Sequence, residues 1–77
     1  MPRSEFEVWH VHDADAGGPQ LTLKVRYRND QEVPDWANGP DLAAAVEQAA
    51  AEGWQLFDRE PGTGPGEYAI FHFKRER

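Results

Sequence analysis

The apolar positions of this chain alternate in one segment and cluster in others, and these patterns predict strands around a single helix. Residues 20–28, QLTLKVRYR, alternate apolar and polar side chains strictly, which is typical of a strand with one buried face. Residues 6–12, FEVWHVH, are rich in aromatic and β-branched residues, and the HDADAGGP between the two runs carries turn residues. The N-terminal part therefore predicts a β-hairpin.

An alanine-rich segment, GPDLAAAVEQAAAEG, predicts one helix after a polar connection over residues 29–39. Pro40 suits the first helical position, and Asp41 places negative charge at the positive end of the helix dipole. Gly53 is expected to end the helix in the left-handed conformation, with Trp54 folding back over Ala49 as in a Schellman motif. Strands are then expected over residues 54–58 and 68–74, separated by the loop EPGTGPGE.

The element order is therefore ββαββ, and the predicted fold class is α+β. We expect a four-stranded antiparallel sheet with one helix packed on one face. Strands one and four are apolar on both faces, which places them side by side in the centre, whereas the charges of strand two suit an edge. Residues 1–77 form one small domain, whose ordered part is expected to run from about residue 5 to residue 75.

The helix followed by AEGWQLF, a glycine-rich gap and a closing strand that ends in FKR (73–75) resembles a known family. This arrangement is similar to the small bacterial proteins gathered as domain-of-unknown-function family 4177. The resemblance covers roughly residues 5–75, and the longer middle loop and the DADAGG hairpin depart from it. It implies the same order of elements and no activity, because that family has none assigned.

Strand parity predicts an apolar surface on the sheet face opposite the helix, which we call the open face. The helix face is assigned Phe6, Val8, Leu21, Leu23, Val25, Trp54, Leu56, Phe71 and Phe73. The open face then holds an expected partner interface of Trp9, Val11, Phe57, Tyr68, Ile70 and His72. A patch of this kind exceeds what monomers usually expose, and a small domain has only a thin core.

This patch predicts a homo-oligomer, with a dimer as the first choice, because a second copy is the commonest cover for such a surface. Two alternatives stay open. The loop that carries Trp36 could fold over its own sheet, or an unrelated protein partner could cover the face.

The chemistry of the side chains favours a protein that is not an enzyme and that has no cofactor or metal. Cysteine is absent, and the single serine, Ser4, lies near the terminus. His10 and His12 share a strand face, but parity places His72 on the opposite side of the sheet, so coordination by three histidines would need another chain. The carboxylates are expected to lie on solvated strand edges, on the exposed helix face and in loops, with no buried acid/base pair among them.

The net charge of −6 makes nucleic-acid binding unfavourable in general and disfavours anionic membranes. No segment is apolar for long enough to span a membrane or to act as a signal peptide, so the expected location is the cytoplasm. The alternative function is a ligand- or nucleic-acid-binding domain. It would use Arg26 and Arg28 of the basic strand together with Trp36 of the middle loop.

Overall fold

A computed structural model describes residues 3–15 and 18–76 and has an α+β architecture. The strands are β1 (Ser4–Asp13), β2 (Leu23–Arg28), β3 (Gln31–Glu32), β4 (Gln55–Pro61) and β5 (Glu67–Glu76). The helix α1 spans Leu42–Ala51, and a 3-10 turn spans Trp36–Asn38. The strands form one antiparallel sheet in the order β3-β2-β1-β5-β4. The first and last strands are therefore central neighbours, as the pattern predicts.

The sheet has five strands, so the prediction of four is wrong in this detail. A two-residue turn at Asn29 and Asp30, with φ values of 50° and 66°, leads from β2 into β3. Positive φ at both positions is characteristic of a type I′ hairpin turn, which Asn and Asp tolerate better than most residues. Arg28 pairs with Gln31 across this turn, so β2 is not the edge strand that its charges suggested.

The helix begins at Leu42, because the side chain of Asp41 accepts a hydrogen bond from the Ala44 N–H at 2.9 Å and caps the first turn. Pro40 consequently precedes the helix instead of opening it. The other end follows the prediction. Gly53 has a φ of 92°, and the Trp54 N–H donates to the Ala49 carbonyl at 3.0 Å, which is the long hydrogen bond of a Schellman motif.

The core lies between α1 and one face of the sheet. Its buried side chains are Trp9, Val11, Val25, Ala45, Ala49, Ala69, Phe71 and Phe73. Two alanines of α1 leave room for large rings from β1 and β5, so small and large side chains complement each other across the two layers. No helix among residues 3–15 and 18–76 is long and apolar enough to cross a membrane.

Candidate functional site

Two of the six residues of the expected partner interface are buried beneath the helix. Trp9 is 2% exposed and Val11 is 0% exposed. Trp9 lies opposite Phe71, and Val11 lies opposite Ala69, and directly paired residues share a sheet face. The prediction that Trp9 and Val11 lie on the open face is therefore wrong.

Phe6 and Val8 occupy the open face in their place, so the prediction that they pack under the helix is also wrong. Phe6 is 63% exposed, and its ring meets the Phe57 ring edge-to-face at 6.2 Å. Val8 pairs with His72. Both alternating sets of side chains in β1 contain apolar residues. The set with the indole of Trp9 is the buried one, because removing more apolar area from water stabilises the fold more.

Phe57, Ile70 and His72 lie on the open face with Phe6. Phe57 is 51% exposed, and its ring centroid lies 6.1 Å from that of His72. Ile70 pairs with His10 of β1, and the adjacent pair on this face is Val8 with His72. The surface that remains is an aromatic pair beside a half-buried aliphatic strip, and it lies towards the β4 side of the sheet.

Tyr68 occupies a different environment. It is the extra residue of a bulge, because Val11 pairs with Ala69 and His12 pairs with Glu67. Its ring is 41% exposed and lies 5.7 Å from the guanidinium carbon of Arg59. The contacts of Tyr68 thus place it apart from the Phe6–Phe57 pair.

All three histidines share the open face, so the prediction that His72 points away from the other two is wrong. One oxygen of the Glu67 carboxylate, Oε2, lies 3.2 Å from Nδ1 of His10 and 3.5 Å from Nε2 of His12. His72 instead contacts Glu60, with 2.7 Å between Nε2 and Oε2. In the part of the chain that the structure describes, no three such side chains are arranged to hold a metal ion.

Burial and neighbouring groups give His12 and Glu67 shifted pKa values. Desolvation and then the positive charge of Arg26 hold the pKa of His12 below its ordinary value, against the opposing pull of Glu67. Burial raises the pKa of Glu67, but hydrogen bonds from Thr63 and His10 outweigh it, so this pKa is lowered overall. At neutral pH the cluster therefore combines a neutral His12 with an ionised Glu67.

The Trp36 turn covers one end of the open face. The Trp36 ring lies 6.0 Å from the His12 ring, and Tyr27 lies 5.9 Å from His12 on another side. Strict alternation along residues 20–28 would place Tyr27 on the same face as the buried Val25. A bulge in the pairing, where His10 opposes Tyr27 and Val11 opposes Val25, reverses its direction. The loop thus covers part of its own sheet at His12.

The basic residues of the alternative ligand site are divided between the two sides of the sheet. The guanidinium carbon of Arg26 lies 4.9 Å from the centroid of Trp36, and its Nε donates to Glu32 at 3.0 Å. Arg28 lies over Trp9 instead, at 4.7 Å, on the helix side. Arg26 and Trp36 come together as the alternative function requires, and Arg28 does not join them.

The cluster of His10, His12, Glu67 and Tyr27 is the feature that the sequence reasoning missed. The spacing of the two histidines on one strand face was visible in the sequence. Their carboxylate partner was not, because Glu67 lies at the start of β5, where a bulge turns it towards His12. Pairing between the first and last strands is the information that would have located it.

Comparison with models of protein families finds no match, and neither does comparison with curated proteins or with solved structures. The resemblance of the AEGWQLF and FKR segments to domain-of-unknown-function family 4177 stays a prediction.

Proposed function

We propose that this chain is a small, non-catalytic interaction module that self-associates through the open face of its sheet, with a two-fold dimer as the first choice. The observation that carries the proposal is the exposure of Phe6 and Phe57, which are 63% and 51% exposed and meet edge-to-face with ring centroids 6.2 Å apart. Aromatic rings bury about 150–250 Å² each when they are covered, and they dominate interface energetics. A second copy would supply that cover.

The charges around the aromatic pair suit contact between identical chains. Lys74 lies 5.8 Å from the Phe57 ring, and Glu60 contacts His72 on the same face. Both signs of charge thus border one apolar patch. In a two-fold dimer, the Lys74 of each copy can face the Glu60 of the other, which adds electrostatic complementarity to apolar burial.

The contact between the two copies lies on the face of the sheet and not along the β4 edge. Strand β4 carries Asp58, Arg59 and Glu60 in succession and ends at Pro61. A two-fold antiparallel pairing centred on Asp58 or Arg59 would place like charges directly opposite each other, which is unfavourable. Charges and proline on an edge strand oppose the addition of further strands.

Binding of a ligand or nucleic acid at Trp36 and Arg26 is the alternative. The stacking of Arg26 on Trp36 favours it, since planar guanidinium and indole groups together suit unstacked bases. However, Arg26 is already paired with Glu32, and the net charge of −6 repels phosphates. A double substitution, Trp36→Ala with Arg26→Ala, would remove such binding and leave self-association intact.

Light scattering coupled to size-exclusion chromatography tests the proposal with two neighbouring residues of β4. Phe57 and Leu56 are 51% and 46% exposed, but Leu56 lies on the helix face, opposite Phe73. We expect the native chain to elute with a dimer mass, Phe57→Asp to elute as a monomer, and Leu56→Asp to remain a dimer. A native monomer at all concentrations, or equal masses for the two variants, would refute self-association through this face.

A further inference from the structure

The helix side of the sheet contains a second apolar surface, separate from the open face. It is a shallow groove of about 680 Å³ bordered by α1, by the start of β2 and by the start of β4, with Phe71 of β5 among its lining residues. The large apolar side chains of its lining are Leu21, Leu23, Leu42, Val46, Leu56 and Phe71. Leu21 and Leu56 are 61% and 46% exposed, so large side chains of the groove face solvent. Exposed leucines grouped in this way mark a binding surface.

The groove exists because one helix is too narrow for this sheet. The four long strands, about 4.8 Å apart, need a layer of roughly 20 Å, whereas a helix is about 10 Å across. Of the strands, β2 lies nearest to α1. The β4 half of the same face is left without a helical layer, and every residue of β4 is exposed. The space beside α1 thus has about the width of one further helix.

The side of α1 that borders the groove allows another helix to pack closely against it. Ala43 lines the groove, and Val46 follows one turn later on the same side of the helix. Small side chains at such positions permit helices to pack at interaxial distances of about 8–10 Å. A helix in the groove would contact α1 and the sheet together, which is the packing of a two-layer α/β structure.

Charge at the groove selects the kind of helix. Among the residues that the structure describes, the charged ones in the groove lining are Asp41 and Glu47, which are both acidic and exposed. Arg59 lies at the opposite border, 5.6 Å from the Phe71 ring. The helix α1 of a second copy carries Glu47 but no lysine or arginine, so it is a poor occupant of an acidic groove. The α1 border favours lysine or arginine on the helix that binds.

We propose that this groove binds an amphipathic helix of a different protein, with leucine-type anchors on one face and basic residues along the flank next to α1. The groove is too open to enclose most of the surface of a small molecule, as ligand pockets do. Binding of this kind follows the helix-in-groove mode, with anchors at positions i, i+3, i+4 and i+7. The site is independent of the open face, so each surface is testable without the other.

The test uses a labelled synthetic peptide of 18 residues, with leucines on one helical face and lysines on the other, and measures fluorescence anisotropy. A peptide of the same pattern with glutamates in place of lysines is the charge control. We expect the lysine peptide to bind the native chain at least tenfold more tightly than the glutamate peptide. The double variant Leu21→Ser with Leu56→Ser should weaken that binding at least tenfold, while Phe6→Ser with Phe57→Ser should leave it unchanged.

Charge reversal at Glu47 supplies a second variant that does not touch the core, since this side chain is exposed on α1. Glu47→Lys should weaken the lysine peptide and strengthen the glutamate peptide. Equal affinity of both peptides, or unchanged binding by the double leucine variant, would overturn the proposal. So would loss of the dimer in the leucine variant, since this would make a second copy the occupant. Binding of the cationic detergent dodecyltrimethylammonium to the chain, with no binding of either peptide, would likewise overturn the proposal.

Discussion

Trp9 packs against Phe73 with ring centroids 4.3 Å apart, and this contact fixes which face of β1 is buried. The indole N–H donates to Glu7 Oε1 at 2.8 Å, so its polar group is satisfied at the border of the core. With Trp9 on the helix side, the alternation of β1 turns Phe6, Val8 and His10 to the open face. The proposed self-association surface and the histidine cluster both depend on this orientation.

Replacing Trp9 with alanine should reduce stability severely. The change removes a fully buried indole, and large-to-small substitutions of this kind cost about 3–5 kcal/mol. That loss approaches the whole stability expected of a small single-core domain. Urea denaturation followed by circular dichroism would measure it, with Trp9→Phe as a milder variant that stays folded. A Trp9→Ala chain as stable as the native one would mean that this ring does not belong to the core.

Gly53 should tolerate a side chain poorly, because its backbone adopts a positive φ angle. Its φ of 92° is a conformation that costs other residues about 1–2 kcal/mol. We expect Gly53→Ala to lower the free energy of unfolding by about that amount. Gly64→Ala is the matched control, because a Cβ there meets nothing within 4 Å. Equal effects of the two substitutions on the free energy of unfolding would mean that α1 does not depend on a Schellman motif at Gly53.

Stability should fall as the pH drops below about 6.5, because of His12. Its pKa in the folded chain is lower than the ordinary value of 6.5, mainly through burial. Between these two pKa values the unfolded chain binds a proton that the folded chain resists, so acidification favours unfolding. Glu67 acts in a lower window, below about 4.5, since its pKa is lowered from that value.

Denaturation at pH 7.5 and at pH 5.5 would measure the effect of His12. We expect the native chain to lose stability between these values and His12→Asn to lose less. His72→Asn is the control, because His72 lies beside an exposed carboxylate and not in the buried cluster. An identical loss in the native chain and in His12→Asn would assign the pH dependence to another group.

The order of elements could be predicted from the sequence because it depends on local signals. Strict alternation located β2, and Gly53 followed by Trp54 located the end of α1. The central position of the first and last strands followed from their apolar side chains on both faces. The short strand β3 was missed, although Asn29 and Asp30 are residues that favour its turn.

For β1 and for Tyr27 the face of the sheet could not be predicted, because alternation along one strand does not show which of its two faces is buried. The predicted placement of Val25, Phe71 and Phe73 towards the helix is confirmed. In β1 both parities are apolar, so the sequence pattern did not distinguish Phe6 from Trp9. In β2 the alternation is strict in sequence, but the bulge beside Arg26 moves Tyr27 to the other face. Bulges arise from pairing between strands, and one residue of offset exchanges the two faces. The β1 and β2 residues of the open face therefore needed the register of the sheet.

The most direct test of self-association through the open face is an isotope-filtered nuclear Overhauser experiment on a mixture of labelled and unlabelled chains. Only contacts between two copies give signals. The account predicts signals from the Phe6 and Phe57 rings to protons of the other copy, with Ile70 or Lys74 among them. Intermolecular signals confined to Leu21 and Leu56, or none in a sample with a dimer mass, would contradict it.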